Sequence, residues 1–218
     1  MECKYCKSTN TIKYGYQKNG SKKYQCKNCL HYFQQNYVYQ SCLTDDQQII
    51  VLTKESCGIR STARILNISA STVIRRIKKI ASRLNRPYPI LKGKIYEVDE
   101  LFTYSGNKNN RICIAYSLEP ITGYVIDISV GSRCKRTLHK ITETLILSEA
   151  KTIYNDGLDL YTQLIPQTIH KIQKRCTNHI ERQNLNLRTH LKRLNRKTLC
   201  YSKSVAMLFA VVRIYFWG

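Results

Sequence analysis

Lys94–Thr103 reads KIYEVDELFT, and the fold turns on how this stretch is taken. Its β-branched and aromatic residues, Ile95, Tyr96, Val98 and Phe102, predict a buried strand. Three carboxylates, Glu97, Asp99 and Glu100, interrupt it. Acids buried in a strand need cations or hydrogen-bond donors. The strand therefore either carries a metal site or lies at a wetted sheet edge with its acids solvated.

The residues that follow decide between these. Lys94–Tyr104, Arg111–Leu118 and Tyr124–Val130 read as three strands, separated by a polar loop at Gly106–Asn110 and a turn at Pro120–Gly123. Residues 134–149 read as a helix, Lys151–Asn155 as a short strand ending in Asp156-Gly157, Leu158–Leu164 as a second helix, and Gln167–Ile172 as a last strand. Three antiparallel strands, helix, strand, helix, strand is the order of a ribonuclease H-like α+β or α/β fold. There the fourth strand lies parallel to the first, so Asp99 and Asp156 would face each other.

The charge distribution points the same way. The 218 residues hold 36 Lys and Arg against 14 acids, a net charge of +22, which calls for a polyanionic partner such as nucleic acid. Nine of the acids fall within residues 93–170, whereas residues 171–218 hold eleven basic residues and one acid. An acidic centre among basic flanks suits a metal-dependent enzyme acting on phosphodiesters. The N-terminus lacks a signal-peptide pattern, and the apolar run Val205–Trp217 is short for a membrane span and contains Arg213. A soluble, cytoplasmic and nucleoid-associated protein is expected, with its ten cysteines reduced.

Before the acidic centre, Cys3-Lys-Tyr-Cys6 and Cys26-Lys-Asn-Cys29 are two C-x-x-C knuckles flanking a hairpin with its turn at Asn19-Gly20. Four thiolates so spaced predict one structural Zn²⁺ in a zinc ribbon over residues 1–42, rather than redox-active pairs. His31 is a possible further ligand. Residues 43–86 predict a helix-turn-helix: Thr44 opens a capping box, Ser61 caps a short helix, and Ser69 caps a longer one. The last would present Ser71, Thr72, Arg75, Arg76 and Lys79 to a major groove, the alternative being a helical hairpin with a solvated basic face. Residues 87–93, with Pro87 and Pro89, read as a linker to a catalytic domain over 94–218.

Past His170, Glu181 is the only acid. It opens a long helix on which Arg188 and Lys192 fall within about 20° of it. Glu181 could instead serve a capping box with Asn178. Asp99, Asp156 and Glu181 together could hold two Mg²⁺ or Mn²⁺ ions for displacement at phosphorus, hard cations preferring oxygen donors. Arg188 and Lys192 would position the scissile strand. Asp159, Glu97 and Glu100 compete for the ligand roles, since spacing does not separate them from Asp156 and Asp99.

VDELFTY (98–104), YNDGLDLY (154–161) and HIERQNLNLRTHLKRLNRKT (179–198), behind a zinc ribbon and a helix-turn-helix, resemble the DDE transposases of the insertion-sequence-1 family. The resemblance assigns Asp99, Asp156 and Glu181 as the acidic triad, with Arg188 as the basic residue seven positions later. It implies cleavage at terminal inverted repeats of double-stranded DNA and joining of 3′ ends to target DNA, by a homodimer or larger assembly, with the N-terminal modules reading the repeats. A non-catalytic DNA-binding regulator and a ribonuclease H-like nuclease are the alternatives.

Overall fold

A computed structural model describes residues 1–17, 20–34, 45–86, 92–172, 176–195, 197–198 and 200–218. The chain forms two compact units, Met1–Leu43 and Thr44–Gly218.

The first unit is a three-stranded antiparallel sheet of β1 (Thr11–Tyr16), β2 (Lys22–Cys26) and β3 (Tyr32–Phe33), in that order. Of its expected hairpin turn, Asn19 lies outside the described residues; Gly20 follows with φ 77° and donates its N–H to the Gln17 carbonyl. The buried cluster is Cys3, Tyr24, Cys26 and Phe33. So small a core supplies little burial, which a metal held by the cysteines would supplement.

The second unit opens with α1 (Asp46–Lys54), α2 (Ile59–Ile65) and α3 (Ala70–Arg83). Asp45 caps α1 by accepting from Gln47 N–H; Thr44 lies outside the described residues. Ser69 caps α3 as expected, accepting from Thr72 N–H at 3.1 Å. Ser61 does not cap α2, because that helix starts earlier, after Gly58, and the Ser61 hydroxyl instead accepts from Arg64. Residues 87–91 of the expected linker lie outside the described residues.

Five strands make the second sheet: β4 (Ile95–Ser105), β5 (Asn107–Leu118), β6 (Val125–Gly131), β7 (Thr152–Asn155) and β8 (His170–Ile172), in the order β6-β5-β4-β7-β8. β5 pairs antiparallel with β4 and β6, whereas β7 runs parallel to β4 and β8. The polar stretch 107–110, expected as loop, extends β5, leaving a tight turn at Gly106 with φ 77°.

Helices α4 (Lys135–Leu147), α5 (Asp159–Thr162), α6 (Asn178–His190) and α7 (Val205–Trp217) complete the unit. Alternation along β4 sorts its side chains between two cores. Tyr96 and Val98 join a cluster with Leu138, Ile141 and Tyr161 of α4 and α5. Leu101 faces the other cluster, where Tyr116, Leu187, Val73, Ile77 and the buried face of α7 meet. The apolar run 205–217 is thus an internal helix, and no helix among the described residues is long and apolar enough to cross a membrane.

Candidate active site and zinc centre

The β4–β7 register aligns the first two acids. Ile95 pairs with Thr152, Tyr96 with Ile153 and Glu97 with Tyr154. Continued two residues, this register brings Asp156 level with Asp99 on strands about 4.8 Å apart. Asp156 is exposed in the turn after β7, where Gly157 has φ +89° and an added Cβ would sit 3.1 Å from Ile172 Cγ2. Buried Asn155 pins that turn: its Oδ1 accepts from Gly157 N–H, and its Nδ2 lies 2.9 Å from His170 Nε2.

Asp99 is half-buried on the face toward α6. Its Oδ1 accepts from Glu100 N–H at 2.7 Å and its Oδ2 from Asn184 Nδ2 at 2.6 Å. Asn184 is steadied in turn by the Tyr116 hydroxyl, 2.8 Å from its Oδ1. Burial pushes the Asp99 carboxyl up to about 6; the charges of Asp156 and Glu100 add to the rise, against the Glu100 N–H and Asn184. Cations beside this carboxylate would reverse that cost.

Glu181 is exposed near the start of α6, its Oε1 accepting from Thr177 Oγ1 at 3.0 Å. Thr177, not Asn178, is the N-cap residue. Glu181 lies one helical turn before Asn184, on the same face. It is therefore one turn from the side chain that touches Asp99. The oxygens of the three acids do not gather as a ligand cluster; among the described residues, only the four ribbon cysteines do.

Glu97, two residues before Asp99, has a different task. Its side chain is 3% exposed, and its Oε2 accepts from Ile180 N–H at 2.8 Å while His179 Nδ1 lies 2.7 Å from its Oε1. It accepts the open Ile180 N–H of the first turn of α6. Glu100 points to the opposite sheet face, with Oε2 3.4 Å from Arg133 Nη2 and its carboxyl beside the Tyr161 hydroxyl. Asp159 is exposed in the first turn of α5. Glu97 and Asn184 were both within reach of the sequence: one shares the strand face of Asp99, the other follows Glu181 by three residues.

Arg188 donates to the carbonyls of Phe102 (3.4 Å) and Leu194 (3.5 Å), tying α6 to β4. Lys192 does not continue the helical face of Glu181. Fully buried Leu191 leaves helical geometry at φ −104°, ψ 85°, and Lys192 opens a separate 3-10 turn, Lys192–Leu194, with its N–H bonded to Ser56 Oγ. The pull of Leu191 into the core ends the helix that a wheel would extend. On α3, Arg75 and Lys79 are exposed, Arg76 pairs with Asp46 at 3.6 Å, and the Ser71 and Thr72 hydroxyls lie 2.8 Å from Ser69 Oγ.

In the first unit the Sγ atoms of Cys3, Cys6, Cys26 and Cys29 all lie within 4.8 Å of one another, with Cys3–Cys29 at 3.6 Å and Cys6–Cys26 at 3.5 Å. A tetrahedron with Zn–S bonds of about 2.3 Å has edges of about 3.8 Å, so this donor set fits Zn²⁺. The backbone N–H of Cys29, with that of Asn28, brings the Cys26 thiol down to about 6, which favours the ligating thiolate. His31 is turned away from a ligand role, its Nδ1 lying 2.9 Å from the Cys29 carbonyl oxygen and its ring stacked on Tyr5. If the four cysteines hold Zn²⁺, the wild-type protein should carry one zinc by elemental analysis, and Cys26→Ser should lose it and erase the dispersed NMR signals of residues 1–34. Residues 44–218 should keep theirs, and retention of ribbon signals in the zinc-free variant would refute metal-driven folding.

Comparison with known proteins adds the family. The sequence model for the IS1 transposase matches residues 94–216. Insertion element IS1 protein InsB of Shigella flexneri is 38% identical over 119 residues, covering 55% of this chain and 91% of that protein. The Escherichia coli K12 insertion element IS1 9 protein InsB is 36% identical over the same length, covering 71% of that protein. A cryo-EM structure of the simian T-cell lymphotropic virus intasome in complex with PP2A regulatory subunit B56 gamma aligns over 75% of this chain and 66% of that one. Its TM-score of 0.39 and 13% identity are too weak to bear on fold or function. The matched span runs from the start of β4 into α7, and the chain belongs to the IS1 transposase family.

Proposed function

We propose that this protein binds the terminal inverted repeats of its element, cuts a DNA strand at their ends and joins the 3′ ends to target DNA. The observation that carries the proposal is the parallel β4–β7 pairing through Glu97–Tyr154, which continued two residues would bring Asp156 level with Asp99, with Glu181 a turn from Asn184, the contact of Asp99. The strand order β6-β5-β4-β7-β8, antiparallel on one side of β4 and parallel on the other, supports a ribonuclease H-like fold. The exposed Arg75 and Lys79 on α3 support a helix-turn-helix reading.

Asp99, Asp156 and Glu181 would hold Mg²⁺ or Mn²⁺, an all-oxygen donor set suited to hard cations, with Asp99 receiving only neutral donors among the described residues. Such ions, when bound, supply activation of the attacking oxygen and charge stabilisation at phosphorus. The protein's own side chains do the positioning: Asn184 orients Asp99, Asn155 fixes the turn of Asp156, and Glu97 fixes the helix of Glu181. Residues 171–218, with eleven basic residues against one acid, favour the approach of phosphates. Assembly as a dimer around two paired ends is part of this proposal.

The test is incubation of the full chain with duplex DNA carrying the element's ends and a target plasmid. Joined product should form with Mg²⁺ or Mn²⁺ and vanish when both are withheld. Binding without cutting under either condition would mean a regulator, and nicks without joined product would mean a nuclease.

A further inference from the structure

Arg193 is 5% exposed, yet among the described residues no carboxylate lies within ion-pairing distance of it. Its Nη1 donates to Ser202 Oγ at 3.2 Å, and its Nε is buried with no partner among the described residues. A guanidinium stays charged in a protein even when burial pulls its pKa below the usual arginine range, as here. A buried charge without a counter-charge is costly, and it persists where something outside the chain supplies the missing anion. The arginine lines a cavity of about 350 Å³ at the far end of the β4–β5 hairpin. Lys108 and Thr198 add polar groups to its wall, and two half-exposed rings, Tyr104 (36%) and Tyr201 (46%), line it as well.

The location narrows the ligand. Thr103, which also lines the cavity, shares a strand face with Asp99 four residues earlier, about 13 Å away at strand rise. That distance is within reach of a DNA strand only a few nucleotides long. The cavity is larger than one phosphate group requires and has aromatic rings against which a base could stack.

We propose that Arg193 and this cavity form a subsite for one phosphodiester of a DNA strand running from the acidic centre, with an adjoining base against Tyr104 or Tyr201. The inference rests on the DNA strand-joining reading and adds where the strand is gripped. The subsite acts before any bond is broken, so it is tested by binding alone.

The full chain is titrated into a fluorescently labelled twelve-residue oligothymidylate without added Mg²⁺ or Mn²⁺, at several salt concentrations. Arg193→Met should weaken binding about tenfold and lower the slope of log affinity against log salt by about 0.7, the share of one phosphate contact on a single strand. Tyr201→Ala should weaken it about five- to tenfold through lost stacking, with the slope unchanged. Arg193→Met should also raise the melting temperature, since it removes an unpaired buried charge. A purely structural arginine would instead lower it, and that result overturns the proposal. So does unchanged affinity and slope in both variants. Inorganic phosphate forms a second arm: if it raises the wild-type melting temperature while Arg193→Met binds oligothymidylate normally, the cavity takes free anions and the DNA reading fails. Loss of strand joining with these binding effects intact would sink the proposed reaction and leave the subsite standing.

Discussion

Asp99→Ala should reduce strand joining by at least about 10³-fold, beyond the loss usual for one preorganised hydrogen-bond donor, while binding of end DNA stays at the wild-type level. The expectation follows from where the carboxylate sits: half-buried, two residues past the β4–β7 pairing, and oriented by Asn184, which Tyr116 holds in place. Removing it deletes a charge at the centre of the site without touching the basic surfaces. If the variant loses DNA binding as well, Asp99 is a structural residue and the assignment fails. A pH experiment examines the same side chain without turnover. Burial raises the Asp99 carboxyl from its ordinary 3.8 to about 6, so the folded state holds this proton more tightly than the unfolded chain does. The stability it contributes is complete below about pH 3.8 and is lost as pH rises through about 6. Urea melts between pH 4 and 7, with no divalent metal added, should show Asp99→Asn losing less stability over that window than wild type. Parallel curves would remove burial as the cause.

Glu97→Ala should destabilise the second unit by roughly 2–4 kcal/mol and cut joining at least tenfold. Hydrogen bonds to charged groups contribute about 1.5–3 kcal/mol each, and here the departing carboxylate strands the Ile180 N–H at a buried helix start. The contact to His179 adds less, because that side chain is 63% exposed. Amide exchange at Ile180 and Glu181 should accelerate as the first turn frays. Glu97→Gln, which keeps an oxygen for Ile180, should recover much of the stability and part of the rate. A Glu97→Ala protein that melts and joins like wild type would show that the first turn of α6 needs no anchor from β4.

Much of this was legible in the sequence where local periodicity and tertiary structure agree. The β-branched and aromatic residues of KIYEVDELFT predicted β4, and thiolate spacing predicted the ribbon cluster that the structure assembles. Spacing could not rank Glu97 against Asp99, because both lie on one strand face and differ only in which part of α6 lies opposite. Lys192 was misplaced because a wheel assumes an unbroken helix, whereas burial of Leu191 ends it. The buried charge of Arg193 was invisible for a related reason: in sequence it is one of eleven basic residues in a stretch that reads as a phosphate-facing surface.

The packing of Val73 and Ile77 of α3 with α7 and with Leu101 of β4 in one cluster has a mechanical corollary. A recognition helix on a floppy tether would let the length of DNA between gripped bases and cut bond vary. Under the proposed function, with α3 reading the repeat, its place in the same block as Asp99 would make the polypeptide a fixed ruler, the offset between site read and bond broken being set by protein dimensions and not by linker slack.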